Sequence, residues 1–147
     1  MIRANRGFTL VELMIVLALI AIIASFAVPQ FGRLIDNNRV VSTTNSIVGL
    51  LSFARSEAIR RGARVTATAQ NDSMAATLDS DNSVVRQIEP ASGSLTITNG
   101  AVTFRASGLI TPAADVTFTV CTDGSPSGRE IKVTPGGQVE TKEVACP

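Results

Sequence analysis

Three places in this sequence hold residue types whose spacing could do chemistry. The first is Glu12, the only charged residue in the apolar run FTLVELMIVLALIAIIASFAVPQF from Phe8 to Phe31. A carboxylate at the centre of such a segment costs about 3 kcal/mol in a membrane, so it needs compensation. Two arrangements supply it. Glu12 can lie near the headgroups, one turn into a helix whose N-terminal dipole favours negative charge. Alternatively, cleavage after Gly7 would create an amine at Phe8, four residues away and within reach of an intrachain pair.

The second place is the pair Cys121 and Cys146, the only cysteines. They are too few for a structural zinc site and too far apart for a Cys-x-x-Cys redox motif. A disulfide in an oxidising compartment is the natural reading, with two buried free thiols as the alternative. The third is Asp79, Asp81 and Ser83, at the first, third and fifth positions of a calcium loop. Val84 stands where that loop needs Gly and Pro90 where it needs Glu. A polar turn is expected there, and no metal.

Composition narrows the function classes. The chain has no His, Trp or Tyr, which removes His-based triads, His metal sites and most base-stacking platforms. A net charge of +1 argues against a protein built to coat nucleic acid. Gly136 and Gly137 are not followed by Lys-Ser or Lys-Thr, so a phosphate loop fails and a turn suffices. The reading is therefore not an enzyme, with no catalytic residue and no cofactor.

The elements that must position these residues are set by periodicity. The 24 residues from Phe8 to Phe31 would span about 36 Å as a helix, enough to cross a bilayer core of about 30 Å. Arg3 and Arg6 precede the run, so the N-terminus stays cytoplasmic and the chain beyond about residue 32 lies across the membrane. An ordinary secretory signal competes with this reading, because Ser25 and Ala27 offer small residues before Val28 and cleavage there would release a soluble domain. Against it stand Glu12 and a helical pattern running through that cut. Pro29 lacks a backbone donor and crowds the carbonyl of Ser25, which should kink or open the helix.

Beyond Pro29, Val40, Thr44, Ile47, Leu51, Ala54 and Ala58 recur at steps of four and three, one face of an amphipathic helix. Asn38, Ser42, Asn45, Ser52 and Ser56 fall opposite. The helix should end near Arg61, with Gly62 as the stop and with a solvated Glu57–Arg61 pair in its last turn. From Arg64 onward, short runs of Val, Ile, Thr and Phe alternate with turn residues. Strands are expected at 64–69, 75–79, 84–88, 95–98, 101–105, 116–121, 130–134 and 138–141. Asn99-Gly100 reads as a hairpin turn, and Pro135-Gly136 as a type II turn within IKVTPGGQVE. One antiparallel sheet across the apolar stripe accounts for both patterns. Its core is modest, so closing the loop of about 26 residues between Cys121 and Cys146 would stabilise it by about 3.5 kcal/mol.

The string RGFTLVELMIVLALIAIIASFAVPQF resembles the class III signal of type IV pilins and pseudopilins: a basic leader, Gly before the cut, then Phe, then Glu at the fifth mature position. The resemblance implies that a prepilin peptidase cleaves between Gly7 and Phe8 and methylates the Phe8 amine. It also implies that Glu12 pairs with the Phe8 amine of a neighbouring subunit, and that Pro29 marks a segment able to bend or melt in the filament. LLSFARSEAIRRGARV from Leu50, succeeded by a β region, is similar to minor pilins of the FimU and FimT type and to H-type pseudopilins of type II secretion.

The fold implied is an α+β pilin fold: leader 1–7, transmembrane and filament-core helix 8–31, amphipathic continuation 32–62 and periplasmic β-rich part 63–147. The function implied is a minor pilin that helps prime a type IV pilus at or near its tip, anchored in the bacterial inner membrane and present in the filament. Its implied partners are prepilin peptidase, other minor pilins, the major pilin and the assembly platform. The alternative is an H-type pseudopilin. A DNA-uptake minor pilin is a third reading, because FimT-type relatives include DNA-binding members with a Gly-Arg-x-Arg motif. Here the corresponding residues are Gly137-Gln138-Val139-Glu140, and Glu130, Glu140 and Glu143 interleave Arg129, Lys132 and Lys142. DNA is not expected as a partner.

Overall fold

The structure, a computed structural model, describes residues 8–89, 95–123 and 126–146. The leader with Gly7, and Pro90 of the calcium-like spacing, lie outside the described residues. The chain divides into two compact units, Met1–Ile35 and Asp36–Pro147. One helix, α1 (Leu10–Arg61), enters both.

In the first unit the helix is apolar on every side, and its large side chains, from Leu10 to Ile35, are about half exposed or more. It remains helical through Pro29. Such a continuous apolar surface is far beyond what a soluble monomer leaves in water.

From Asp36 the helix becomes one-sided. Val40, Thr44, Ile47, Leu51, Ala54 and Ala58 are all buried, joined by Thr43, Leu50 and Glu57. Asn38, Ser42, Asn45, Ser52 and Ser56 are exposed. The helix stops as the sequence requires. Gly62 takes a φ of 63°, its N–H reaches Ile59 O at 3.3 Å, and Ala63 N–H reaches Ala58 O at 3.2 Å. These are the paired bonds of a Schellman cap, which only a residue tolerant of left-handed backbone closes cheaply.

Among the described residues the helix leads into nine strands: β1 (Val65–Gln70), β2 (Ser73–Leu78), β3 (Val84–Ile88), β4 (Leu95–Ile97), β5 (Gly100–Phe104), β6 (Ile110–Thr111), β7 (Val116–Thr122), β8 (Ser127–Val133) and β9 (Val139–Ala145). They form two antiparallel sheets where one was expected, ordered β3-β2-β1-β5-β6 and β4-β7-β8-β9. Alternate residues of both sheets point into one core with the buried stripe of α1, and Phe104 and Phe118 are its largest members.

The Asn99-Gly100 hairpin does not form. β4 pairs with β7 and β5 pairs with β1, so the dipeptide carries the chain from one sheet to the other. Gly100 serves close packing: a Cβ there would sit 3.3 Å from the ring of Phe118. The β8–β9 hairpin does form, but its turn is not type II. Gly137 N–H bonds Thr134 O at 2.8 Å, and the positive φ, 74°, belongs to Gly137. A type II turn would need it at Gly136; here a turn of three residues ends in a left-handed glycine that matches the strand twist.

Candidate assembly site and the head that carries it

At the start of α1, Thr9 and Glu12 satisfy each other. Glu12 N–H donates to Thr9 Oγ1 at 3.2 Å, and Thr9 N–H donates to Glu12 Oε2 at 3.1 Å. The Thr9 hydroxyl also reaches Oε2, at 3.2 Å. This is a capping box, in which two helix-end donors are satisfied reciprocally. Thr9 thus caps the helix and holds Glu12, and the Thr-x-x-Glu spacing ahead of an apolar run is its signal in the sequence. The Glu12 carboxylate has one oxygen held by its own chain. Oε1 points to no partner among the described residues. Phe8, just before the cap, is 90% exposed.

The last turn of the helix holds a different acid. Glu57 is buried and receives Arg60 Nε at 2.9 Å, while Arg61 Nε also donates to it. The expected solvated pair is therefore a buried carboxylate shared by two guanidiniums. Hydrogen bonds from Arg60 and then Arg61 hold its pKa down, at about 2 against an ordinary 4.5. The Asp79 to Ser83 segment is a turn. Thr66 Oγ1 donates to Asp79 Oδ1 at 2.7 Å, and Ser83 N–H to Asp81 Oδ1 at 3.0 Å.

Cys121 and Cys146 are bonded, with Cα atoms 6.0 Å apart. Cys121 lies in β7 and Cys146 just beyond β9, so the bridge passes over the strand between them, β8. Gly128 makes the crossing possible: a Cβ there would stand 2.8 Å from Cys121 Sγ and 2.6 Å from Val120 O, and would also meet Cys146 Sγ. Arg55 performs a comparable task on the other side of the head. Its Nε donates to Gly108 O at 3.1 Å and its Nη2 to Gly136 O at 3.0 Å, tying α1 to two loops at once. The basic residues of β8 and β9 are paired. Arg129 meets Glu143 at 2.9 Å, Lys142 meets Glu130 at 3.0 Å, and Lys132 meets Asp115 at 3.3 Å and Glu140 at 3.8 Å.

A family model described as "Type II transport protein GspH" matches residues 43–137, more than half of the chain. The chain belongs to the GspH family. A second model, "Prokaryotic N-terminal methylation motif", matches residues 2–28 and so includes Gly7, Phe8 and Glu12. Two curated relatives, each a fimbrial protein of Pseudomonas aeruginosa, are 37% identical to this GspH-family chain over 67 residues, 46% of it and 43% of them. The chain thus spans less than half the length of those relatives. Two crystal structures of the type IV minor pilin FimU of Pseudomonas aeruginosa share the fold at 21% identity. One covers 72% of this chain and 90% of FimU with a TM-score of 0.63, the other 69% and 90% with a TM-score of 0.58. The fold is therefore that of a pilin, in a family that is structural and not known for catalysis. Its helix is long and apolar enough to cross a membrane, and family, motif and fold make this a chain of the type IV minor pilin and pseudopilin class.

Proposed function

We propose that this GspH-family chain is a minor pilin that helps prime assembly of a type IV pilus, at or near its tip. The observation that carries the reading is the exposed apolar helix, which begins beside Phe8 and Glu12 and has nothing to cover it in a lone subunit. Before assembly the lipid of the inner membrane covers it; in a filament, neighbouring helices do. A prepilin peptidase cleaves between Gly7 and Phe8 and, in a separate step, methylates the freed Phe8 amine. Thr9 holds Glu12 Oε2 in place, and Oε1 then accepts the Phe8 amine of a neighbouring subunit, so two groups costly in an apolar surrounding cancel. Arg3 and Arg6 keep the N-terminus cytoplasmic, leaving the disulfide-bonded head in the periplasm. On this reading residues 1–7 are leader, 8–31 the membrane and filament-core helix, 32–62 its amphipathic continuation and 63–147 the periplasmic part. Pro29 is where the helix bends or melts on assembly.

Likeness to FimU and to fimbrial relatives supports a pilus over a secretion machine. The match to the GspH model favours the second reading, an H-type pseudopilin. The deciding experiment compares major pilin sheared from cells of a deletion strain with the complemented strain. Loss restored by the gene supports the pilus reading. Unchanged pilin sinks it, and a secretion defect in the same strain would point to the pseudopilin.

A further inference from the structure

Four strands end the two sheets at their sides: β3 and β6 in one, β4 and β9 in the other. β6 has two residues, β4 has three, and β3 is broken in register opposite Ala76 and Thr77. β9 differs from them. Its seven residues pair with β8 in one unbroken register.

Hydrogen bonds at its two ends determine which of its groups face outward. Thr134 N–H donates to Gln138 O at 2.9 Å just before β9, and Cys146 N–H donates to Pro126 O at 3.1 Å just after it. Antiparallel ladders alternate, so the N–H and C=O of Val139, Thr141, Glu143 and Ala145 are directed away from β8 toward the open side. Such a row is a ready template for another extended strand. Charged side chains usually guard an edge of this kind. Here each is drawn back over β8: Glu140 to Lys132, Lys142 to Glu130 and Glu143 to Arg129.

The geometry points to a second copy of this chain as the occupant, β9 against β9 in antiparallel pairing centred on Thr141. Alternation admits a two-fold axis only at a residue, and the charges select which one. Centring on Glu140 or Glu143 sets carboxylate against carboxylate, and centring on Lys142 sets ammonium against ammonium. Centring nearer either end leaves half the strand unpaired. Centring on Thr141 makes Thr141 a hydrogen-bonded pair with itself. It also sets Glu140 opposite Lys142 twice, in the positions where Cα atoms approach to about 4.5 Å. The joined outer face then reads Lys132, Glu140, Lys142, Glu130 across four successive strands, two from each copy, alternating in sign. Such a contact closes on itself and does not propagate. It does not depend on the chain's role in a filament.

The test places Thr141→Cys in the full chain, in native membranes, and oxidises. Across a hydrogen-bonded antiparallel pair the Cα atoms are about 5.5 Å apart, within reach of a disulfide. Differently tagged copies should appear together in one crosslinked dimer, and Thr111→Cys on β6 should give none. Glu140→Lys or Lys142→Glu alone should lower the yield of self-dimer about fivefold. Mixing the two single variants should restore it in the mixed dimer, where both contacts across the axis again join opposite charges while each copy's own β8–β9 pairs stay as in its self-dimer. Glu140→Cys on one copy should likewise crosslink to Lys142→Cys on another. Absence of both dimers while the Cys121–Cys146 bond stays intact by mass spectrometry would overturn the inference. So would failure of the mixed single variants to recover the crosslink, or a dimer whose second half is a different protein. Filament yield is read separately, so either conclusion can fail without the other.

Discussion

Gly128 lies directly beneath the disulfide, with its missing Cβ position 2.8 Å from Cys121 Sγ. The bridge can span β8 because that strand carries no side chain at this point. Since one of the blocking atoms is the backbone carbonyl of Val120, a methyl group cannot be accommodated by turning a neighbour aside. Gly128→Ala is expected to leave a measurable fraction of free thiol at Cys121 and Cys146 and to cost about 1–3 kcal/mol. Thiol titration and a thermal melt check this, with the Cys121→Ser, Cys146→Ser double variant as the reference for complete loss of the bond, about 3.5 kcal/mol. A fully oxidised Gly128→Ala protein of unchanged melting temperature would refute it.

Arg55 bonds two loop carbonyls, and Gly137 packs against it. A Cβ on Gly137 would stand 2.9 Å from Arg55 Nε and would also meet Gly108 O, at a φ of 74° that disfavours any side chain. Gly137→Ala should therefore destabilise the head by more than about 1 kcal/mol. Arg55→Ala should cost about 2 kcal/mol, because its bonds are charge-assisted. Combining the two should cost less than the separate effects added, since both loosen one node. Urea midpoints of the four proteins in detergent measure this coupling, and strict additivity would argue against it.

Glu57 makes stability depend on pH. Its folded pKa, about 2, lies below the ordinary 4.5, so the unfolded chain binds the proton more readily and acid favours unfolding. The contribution is complete above pH 4.5 and is lost as pH falls toward about 2. The wild-type urea midpoint should drop across that window. Glu57→Gln should be less stable at pH 6 and show a shallower drop, and parallel curves for the two proteins would exclude Glu57 as the source.

Thr9 and Glu12 separate capping from assembly. Thr9→Ala removes the hydroxyl that accepts the Glu12 N–H and should weaken the helix start by about 1 kcal/mol, whereas Thr9→Ser should behave as wild type. Glu12→Leu should leave cleavage after Gly7 largely intact, read as a methylated Phe8 terminus by mass spectrometry, but impair entry into filaments. Normal incorporation of Glu12→Leu would eliminate the proposed Phe8–Glu12 pairing between subunits.

Local chemistry was legible in the residues. The apolar run, the stripe from Val40 to Ala58, the stop at Gly62 and most strands can be read from period and turn residues, because each depends on neighbours a few positions away. A bond between Cys121 and Cys146 was the natural reading for an oxidising compartment, with free thiols as the alternative, and the fold brings the two together. Tertiary structure decided what depends on distant chain. It split the strands into two sheets, so Asn99-Gly100 became a crossing where a hairpin was expected, because Leu95 and Ile97 pack with β7 while Val102 and Phe104 pack with β1. It buried Glu57, placed Gly128 under the disulfide and set Arg55 between two loops. No local pattern marks these residues, since the atoms that constrain them arrive from elsewhere in the chain.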